Sequence, residues 1–94
     1  MRAPVPKMTT RAVTVVNPLG LHARAAARFV HTASAFASQI SVAAGRRVMD
    51  GKSIMGLLLL AAARGTRIEI SAEGPDEVEA VEALGGLVER GFDS

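Results

Sequence analysis

Thr66-Arg67-Ile68-Glu69-Ile70-Ser71-Ala72 alternates apolar and polar side chains without a break. Ile68 and Ile70 point one way, and Arg67, Glu69 and Ser71 the other. This is the period of a strand with one buried and one wet face. A sheet of such strands needs cover on one side only. Downstream, Gly74-Pro75-Asp76 opens a helix, with Pro75 near its first turn and Asp76 and Glu77 at its positive dipole end. Val78, Val81, Leu84 and Val88 are expected to form its buried stripe, with Glu79, Glu82 and Glu89 facing out. Gly85-Gly86 weakens such a helix by about 1 kcal/mol per Gly relative to Ala. Close packing against the sheet would account for them.

Upstream, Asp50-Gly51-Lys52 is a break, and Ser53 is a suitable N-cap for a helix running to about Ala62, with Gly65 near its end. Ile54, Leu57, Leu58 and Ala61 are expected on its core face. Met55 and Leu59 fall off that face, toward solvent or a partner. Before the break, Gln39 to Ala43 alternates with Ile40 and Val42 inward, Ala44-Gly45-Arg46 turns, and Arg47 to Met49 returns antiparallel. Further back the period changes: Ala26, Phe29, Val30, Ala33 and Ala37 share one helical face, which predicts a helix over Ala23 to Ala37. Arg11 to Val16 reads as a first strand, broken by Asn17-Pro18-Leu19-Gly20. The order is β-α-β-β-α-β-α. Elements with one apolar face each imply an α+β, open-faced two-layer sandwich with its helices on one side of the sheet. The prolines at 4 and 6 make residues 1–9 an N-terminal arm, leaving 10–94 as the domain.

The chain has 94 residues, 49% of them hydrophobic, which suits one packed core and excludes a second domain. Its aromatics are Phe29, Phe36 and Phe92, with no Trp or Tyr, so base-stacking platforms are lacking. A net charge of +2 is a weak field for gripping nucleic acid. No nucleic-acid partner is therefore expected. The absence of cysteine excludes disulfides, thiolate metal sites and Cys nucleophiles. The longest apolar run, Ile54 to Ala63, is about half of what spans a bilayer. Residues 1–8 lack the apolar core of a signal peptide. A cytoplasmic protein without membrane insertion is expected.

Two segments carry chemistry. Gly20-Leu21-His22-Ala23-Arg24-Ala25-Ala26 puts an imidazole where a loop meets a helix start. Unpaired N–H groups point outward there and favour anions. Arg24 adds a fixed charge and a donor fork suited to phosphate. A neutral imidazole nitrogen is a nucleophile near neutral pH. These parts suit acceptance of a phosphoryl group on His22. They equally suit a plain helix cap beside a solvated arginine. His31, the other histidine, has no ligand-spaced Asp, Glu or Cys and reads as a partly exposed structural residue, so no metal is expected. The second segment is Asp50-Gly51-Lys52-Ser53-Ile54-Met55-Gly56. It lacks the Gly spacing of a Walker A loop. Ser53 is a cap whose hydroxyl would tolerate phosphate at a helix N-terminus.

At these residues the sequence resembles the HPr family, the histidine-containing phosphocarriers of the bacterial phosphotransferase system. Gly20 to Ala26 matches the family's Gly-Leu-His-Ala-Arg-Pro-Ala motif at all but one place. Lys52 to Gly56 matches its Lys-Ser-Ile-Met-Gly motif, and Ile70 to Gly74 its Ile-Ser-Ala-Glu-Gly. The resemblance runs from about Thr10 to Phe92. It implies a four-stranded antiparallel sheet backed by three helices. It further implies a phosphohistidine at Nδ1 of His22, supplied by phosphorylated enzyme I from phosphoenolpyruvate and passed to a IIA protein or domain. Arg24 would assist transfer. Ser53 would be the target of HPr kinase/phosphorylase, and Ala23, Ala27, Ile54, Met55 and Leu58 the partner-binding surface. The chain would be a monomeric carrier of a covalent intermediate, with no cofactor, rather than an enzyme. Ala25 departs from the family pattern, which has Pro there; Ala restores an N–H and loosens the backbone. Arg90 to Asp93 and Leu57 to Ala63 are similar to NPr, the nitrogen-related branch, whereas Lys52 to Gly56 is closer to HPr proteins under kinase control. A non-carrier regulatory binding protein, controlled through Ser53, is the alternative reading.

Overall fold

The computed structural model describes residues 8–93. Most of the expected arm thus lies outside the described residues, and Thr9 already belongs to the first strand. The elements are β1 (Thr9–Thr14), α1 (Ala23–Ala33), β2 (Gln39–Ala44), β3 (Arg47–Asp50), α2 (Ile54–Leu60), β4 (Arg67–Glu73) and α3 (Glu77–Glu89), followed by a 3₁₀ turn at Gly91–Asp93. The four strands form one sheet in the order β1-β4-β2-β3, every pairing antiparallel. The expected open-faced α+β sandwich is what forms.

Register follows the alternation. Val13 lies opposite Ile68, and Ile40 opposite Ala72, so their side chains share the helix-covered face. There they bury against Phe29, Leu57, Leu84 and Val88. The opposite face carries a row of oxygen-bearing side chains, Thr10, Ser71, Ser41 and Asp50, paired in turn across the strands. That row needs no cover.

Three helix expectations change. First, α1 ends at Ala33 rather than Ala37. Ser34 N donates to Val30 O at 2.8 Å and Ala35 N to Thr32 O at 3.2 Å, closing the last turn. The chain is then drawn to the start of α3, where Ala37 N and Ser38 N donate to the Asp76 carboxylate at 2.8 and 3.0 Å. Ser38 Oγ donates to the same group at 2.5 Å. Ala37 is exposed rather than part of the core face.

Second, α2 stops at Leu60, with Ala61 in the left-handed region at φ 54° and Gly65 outside the helix. Leu57 and Leu60 are its buried residues, whereas Ile54 and Ala61, expected in the core, are exposed. Seven residues make two turns, and only a narrow stripe of them reaches the core. Third, the α3 stripe is wider than expected and differs at its start: Val81, Leu84 and Val88 are buried as expected, Ala80 and Leu87 join them, and Val78 is exposed. At the start of the helix it is Glu77 that turns inward, accepting from Thr9 Oγ1 at 2.7 Å. Val78, one residue on, is swung outward by the helical pitch.

Close packing accounts for Gly85, where a Cβ would stand 2.7 Å from Arg11 Nη1. The Arg11 side chain runs beneath α3 to donate to Glu89 at 2.7 Å. Gly86 meets only the tip of Arg90, so the sheet does not require it.

The hydrogen bond from Ser38 Oγ, first among its donors, holds the Asp76 carboxyl below the ordinary carboxylate range. Its folded-state pKa is thus lower than its unfolded one. The stability it contributes is complete above the unfolded value, about pH 4, and is lost as pH falls through the folded value. Asp76→Asn should lower the melting temperature at pH 7. It should also flatten the fall in melting temperature below pH 4, as read by thermal circular dichroism across a pH series.

Candidate functional site

The loop before α1 is built by three constraints. Asn17 closes it: Gly20 N donates to Asn17 O at 3.0 Å, and Asn17 Nδ2 donates to Gly20 O at 2.7 Å. Asn17 is buried, and no protein donor among the described residues reaches its Oδ1. Gly20 sits at φ 63°, with the position of a Cβ only 2.5 Å from Ala62 O. The residue after it, Leu21, donates its N–H to that same oxygen at 2.9 Å and buries its side chain. The loop is therefore pinned to the end of α2 before the chain reaches His22.

His22 is the N-cap of α1, in extended conformation. Its Nδ1 accepts from Arg24 N at 3.1 Å and from Ala25 N at 3.2 Å. Nδ1 accepts only as an unprotonated nitrogen, so the ring proton of the neutral form sits on Nε2. The lone pair needed for nucleophilic attack thus lies at the positive end of an 11-residue helix. The cap is thus observed, and the same atom is the one a phosphoryl acceptor would use, so the two readings open from the sequence are compatible with one geometry. The Arg24 side chain is exposed, and among the described residues it pairs with no carboxylate. Its charge is available to an incoming anion.

The second segment packs beside the first, since α1 and α2 are in contact. Ser53 caps α2, its Oγ accepting from Gly56 N at 3.0 Å. A Cβ on Gly56 would lie 3.3 Å from that Oγ, so glycine leaves the hydroxyl uncrowded. Lys52, next to it, is turned away to donate to Phe36 O at 2.7 Å.

Of the expected partner surface, Ala23 and Ala27 are exposed, as are Ile54 (43%) and Met55 (65%); Leu58 is half-buried against the core. Two apolar residues join the exposed set. Leu59 (56%) had been read as lying off the core face, while Leu19 (75%), in the loop before His22, was passed over as part of a turn. An exposed leucine inside a Pro/Gly break was the signal available for it.

His31 is exposed and lines a shallow groove with Arg24, Arg28, Thr32, Leu87 and Asp93. Arg28 was not anticipated as a structural residue: its Nη1 donates to Phe92 O and Asp93 O, both at 2.7 Å. It thereby holds a terminal turn in which buried Phe92 has φ 60°. Among the described residues no three His, Cys, Asp or Glu side chains converge as a metal site would need. No helix among them is long and apolar enough to cross a membrane.

Such a site displays an imidazole at a helix end, where it is open to an approaching partner, as a small carrier domain requires. The comparisons with known proteins agree. A family model described as "PTS HPr component phosphorylation site" matches residues 9–90. The phosphocarrier protein HPr of Neisseria meningitidis is 47% identical over 85 residues, covering 90% of this chain and 96% of that one. The crystal structure of HPr-C-His from Thermoanaerobacter tengcongensis superposes with a TM-score of 0.88 at 44% identity, over 92% of this chain and 97% of that one. An HPr structure from Bacillus anthracis superposes with a TM-score of 0.83 at 41% identity, over 86% and 96%. The chain belongs to the HPr family, and its function is that of a histidine phosphocarrier of the phosphotransferase system.

Gly20→Ala should destabilise the fold by about 2–4 kcal/mol, from the left-handed backbone and the overlap with Ala62 O. Urea unfolding measures this. Gly45, also at positive φ, has open space around it, and its replacement by Ala should cost only about 1 kcal/mol.

Proposed function

We propose that His22 is the residue that carries the phosphoryl group. In this reading Nδ1 receives it from phosphorylated enzyme I and gives it up to a IIA protein or domain. The observation that carries the assignment is the pair of N–H groups, from Arg24 and Ala25, aimed at Nδ1. Once Nδ1 is bonded to phosphorus, those donors face phosphoryl oxygens, and the Arg24 fork can add charge-assisted bonds. The site stays open. That suits a group held only long enough to be handed on, because tighter binding of the phosphorylated state would lower its tendency to transfer.

The exposed apolar residues around it, Leu19, Ala23, Ala27, Ile54, Met55 and Leu59, with half-buried Leu58, form the surface on which both partners dock. An aliphatic patch with a cation at its centre suits transient interfaces, in which one surface must serve successive partners. The protein acts as a monomer in the cytoplasm, needs no cofactor, and performs no catalysis of its own beyond accepting and releasing the group.

A second role concerns Ser53. Its hydroxyl is half-exposed, lies under Gly56 and adjoins Ile54 and Met55. Phosphorylation by an HPr kinase/phosphorylase would put a dianion within the docking patch. This adds control to the carrier without replacing it.

His22→Asn keeps a capping acceptor and removes the nucleophile. Incubated with enzyme I and phosphoenolpyruvate, this variant should take up no acid-labile phosphate, whereas His31→Ala should label as the parent does. Arg24→Ala should slow transfer roughly 10²-fold with the fold intact. Retention of parent-level labelling in His22→Asn would refute the assignment. Ser53→Asp should weaken association with enzyme I about tenfold by adding charge to the docking rim, as measured by calorimetry.

A further inference from the structure

Ala25 stands where the HPr motif has proline, and its N–H is aimed at the reacting atom. The donor lies 3.2 Å from His22 Nδ1, beside the Arg24 N–H at 3.1 Å. A proline at this place would leave one donor where this chain has two. We propose that the Ala25 N–H is a second phosphoryl ligand. In this chain it makes the phosphohistidine longer-lived and less ready to transfer than a one-donor site would. The inference rests on His22 as the phosphorylated residue.

The step balances as follows. The Nδ1 lone pair attacks phosphorus, the N–P bond forms, and the donor's bond to phosphorus breaks with its electron pair leaving on the donor. Nε2 keeps its proton. Before the step both N–H groups donate to Nδ1, and to attack phosphorus the lone pair must let them go. After it Nδ1 has no lone pair to offer, and the same N–H groups, fixed by the first turn of α1, meet the new phosphoryl oxygens. The Ala25 side chain is fully buried, which holds its peptide in place. Each N–H therefore acts twice: it restrains the free imidazole and then retains the phosphorylated one. Both effects slow turnover relative to a site with one donor, and the second lengthens the life of the phosphorylated carrier.

The deciding variant replaces the Ala25 residue by its α-hydroxy analogue, which turns the N–H into an ester oxygen and keeps the methyl group. Ala25→Pro provides the second variant, and the same ester change at Ala27, in the next turn, controls for general weakening of the helix. After phosphorylation by enzyme I and removal of the donor, ³¹P NMR follows phosphohistidine decay. The ester at position 25 and Ala25→Pro should each shorten the lifetime about tenfold, the worth of one charge-assisted bond. The ester at 27 should leave it unchanged. In the parent chain the Ala25 amide proton should move downfield on phosphorylation. Equal lifetimes at positions 25 and 27, or an unmoved Ala25 amide with phosphate on Nδ1, would overturn the inference while leaving His22 assigned. Phosphate found away from His22 in the parent would overturn the assignment and this inference with it.

Discussion

The loop before α1 lies against the carbonyl of Ala62, and much of the functional surface depends on that contact. Leu21 N donates to Ala62 O at 2.9 Å, and Gly20 passes so close that no side chain fits. A backbone-to-backbone contact tolerates little rotation, because the donor angle and the van der Waals distance both constrain it. It fixes the point at which the chain enters α1, and hence the position of His22 as N-cap. It also ties that entry to the end of α2, whose beginning holds Ser53. The segments around His22 and Ser53 are thereby held on one rigid body, although 30 residues lie between those two side chains. Asn17 supplies the other half of the restraint by closing the loop on itself.

From this follows a division of labour between burial and exposure. The sheet's covered face and three helix stripes supply a continuous apolar core, and Phe29, Leu57 and Leu84 are fully enclosed in it. The candidate site residues His22 and Ser53 sit at helix ends instead, where they cap backbone donors and solvent is near. Around them aliphatic side chains stay exposed, although burying each would stabilise the monomer. Such exposure is expected where another protein must dock. Electrostatics is local in the same way. The chain's small net charge gives little long-range field, whereas the start of α1 and the exposed Arg24 place positive charge locally beside His22.

Much of this was legible before any coordinates. Ile68 and Ile70 in alternation declared β4, and the change of period at Ala26 and Phe29 declared α1. The break at Asp50 to Lys52 placed Ser53 as a cap, which it is. His22 beside Arg24, within the spacing of a known motif, drew attention to the start of α1, where His22 is the N-cap. Helix limits and faces were less legible. Ala37 looked helical by period, but the Asp76 carboxylate captures its N–H from the far side of the sequence. Val78 looked buried by period, but Glu77 takes the inward place at the start of α3, accepting from Thr9, and Val78 is exposed. Gly65 looked like a helix terminator, yet Ala61 takes the left-handed position.

The sequence by itself determined the order of elements, the faces of the strands and the residue types at each helix start. These are local properties, set by side-chain period and backbone preference over a few residues. Only the tertiary structure decided where α1 and α2 stop, that Glu77 and not Val78 turns inward at the start of α3, and that Gly20 rests on Ala62. Those outcomes depend on partners 39 to 68 residues away, such as Asp76 for Ala37 and Glu77 for Thr9. It also decided that the N–H of Ala25 points at His22 Nδ1. A residue that reads in the sequence as a loosened turn is, in three dimensions, a second backbone donor to the imidazole that caps α1.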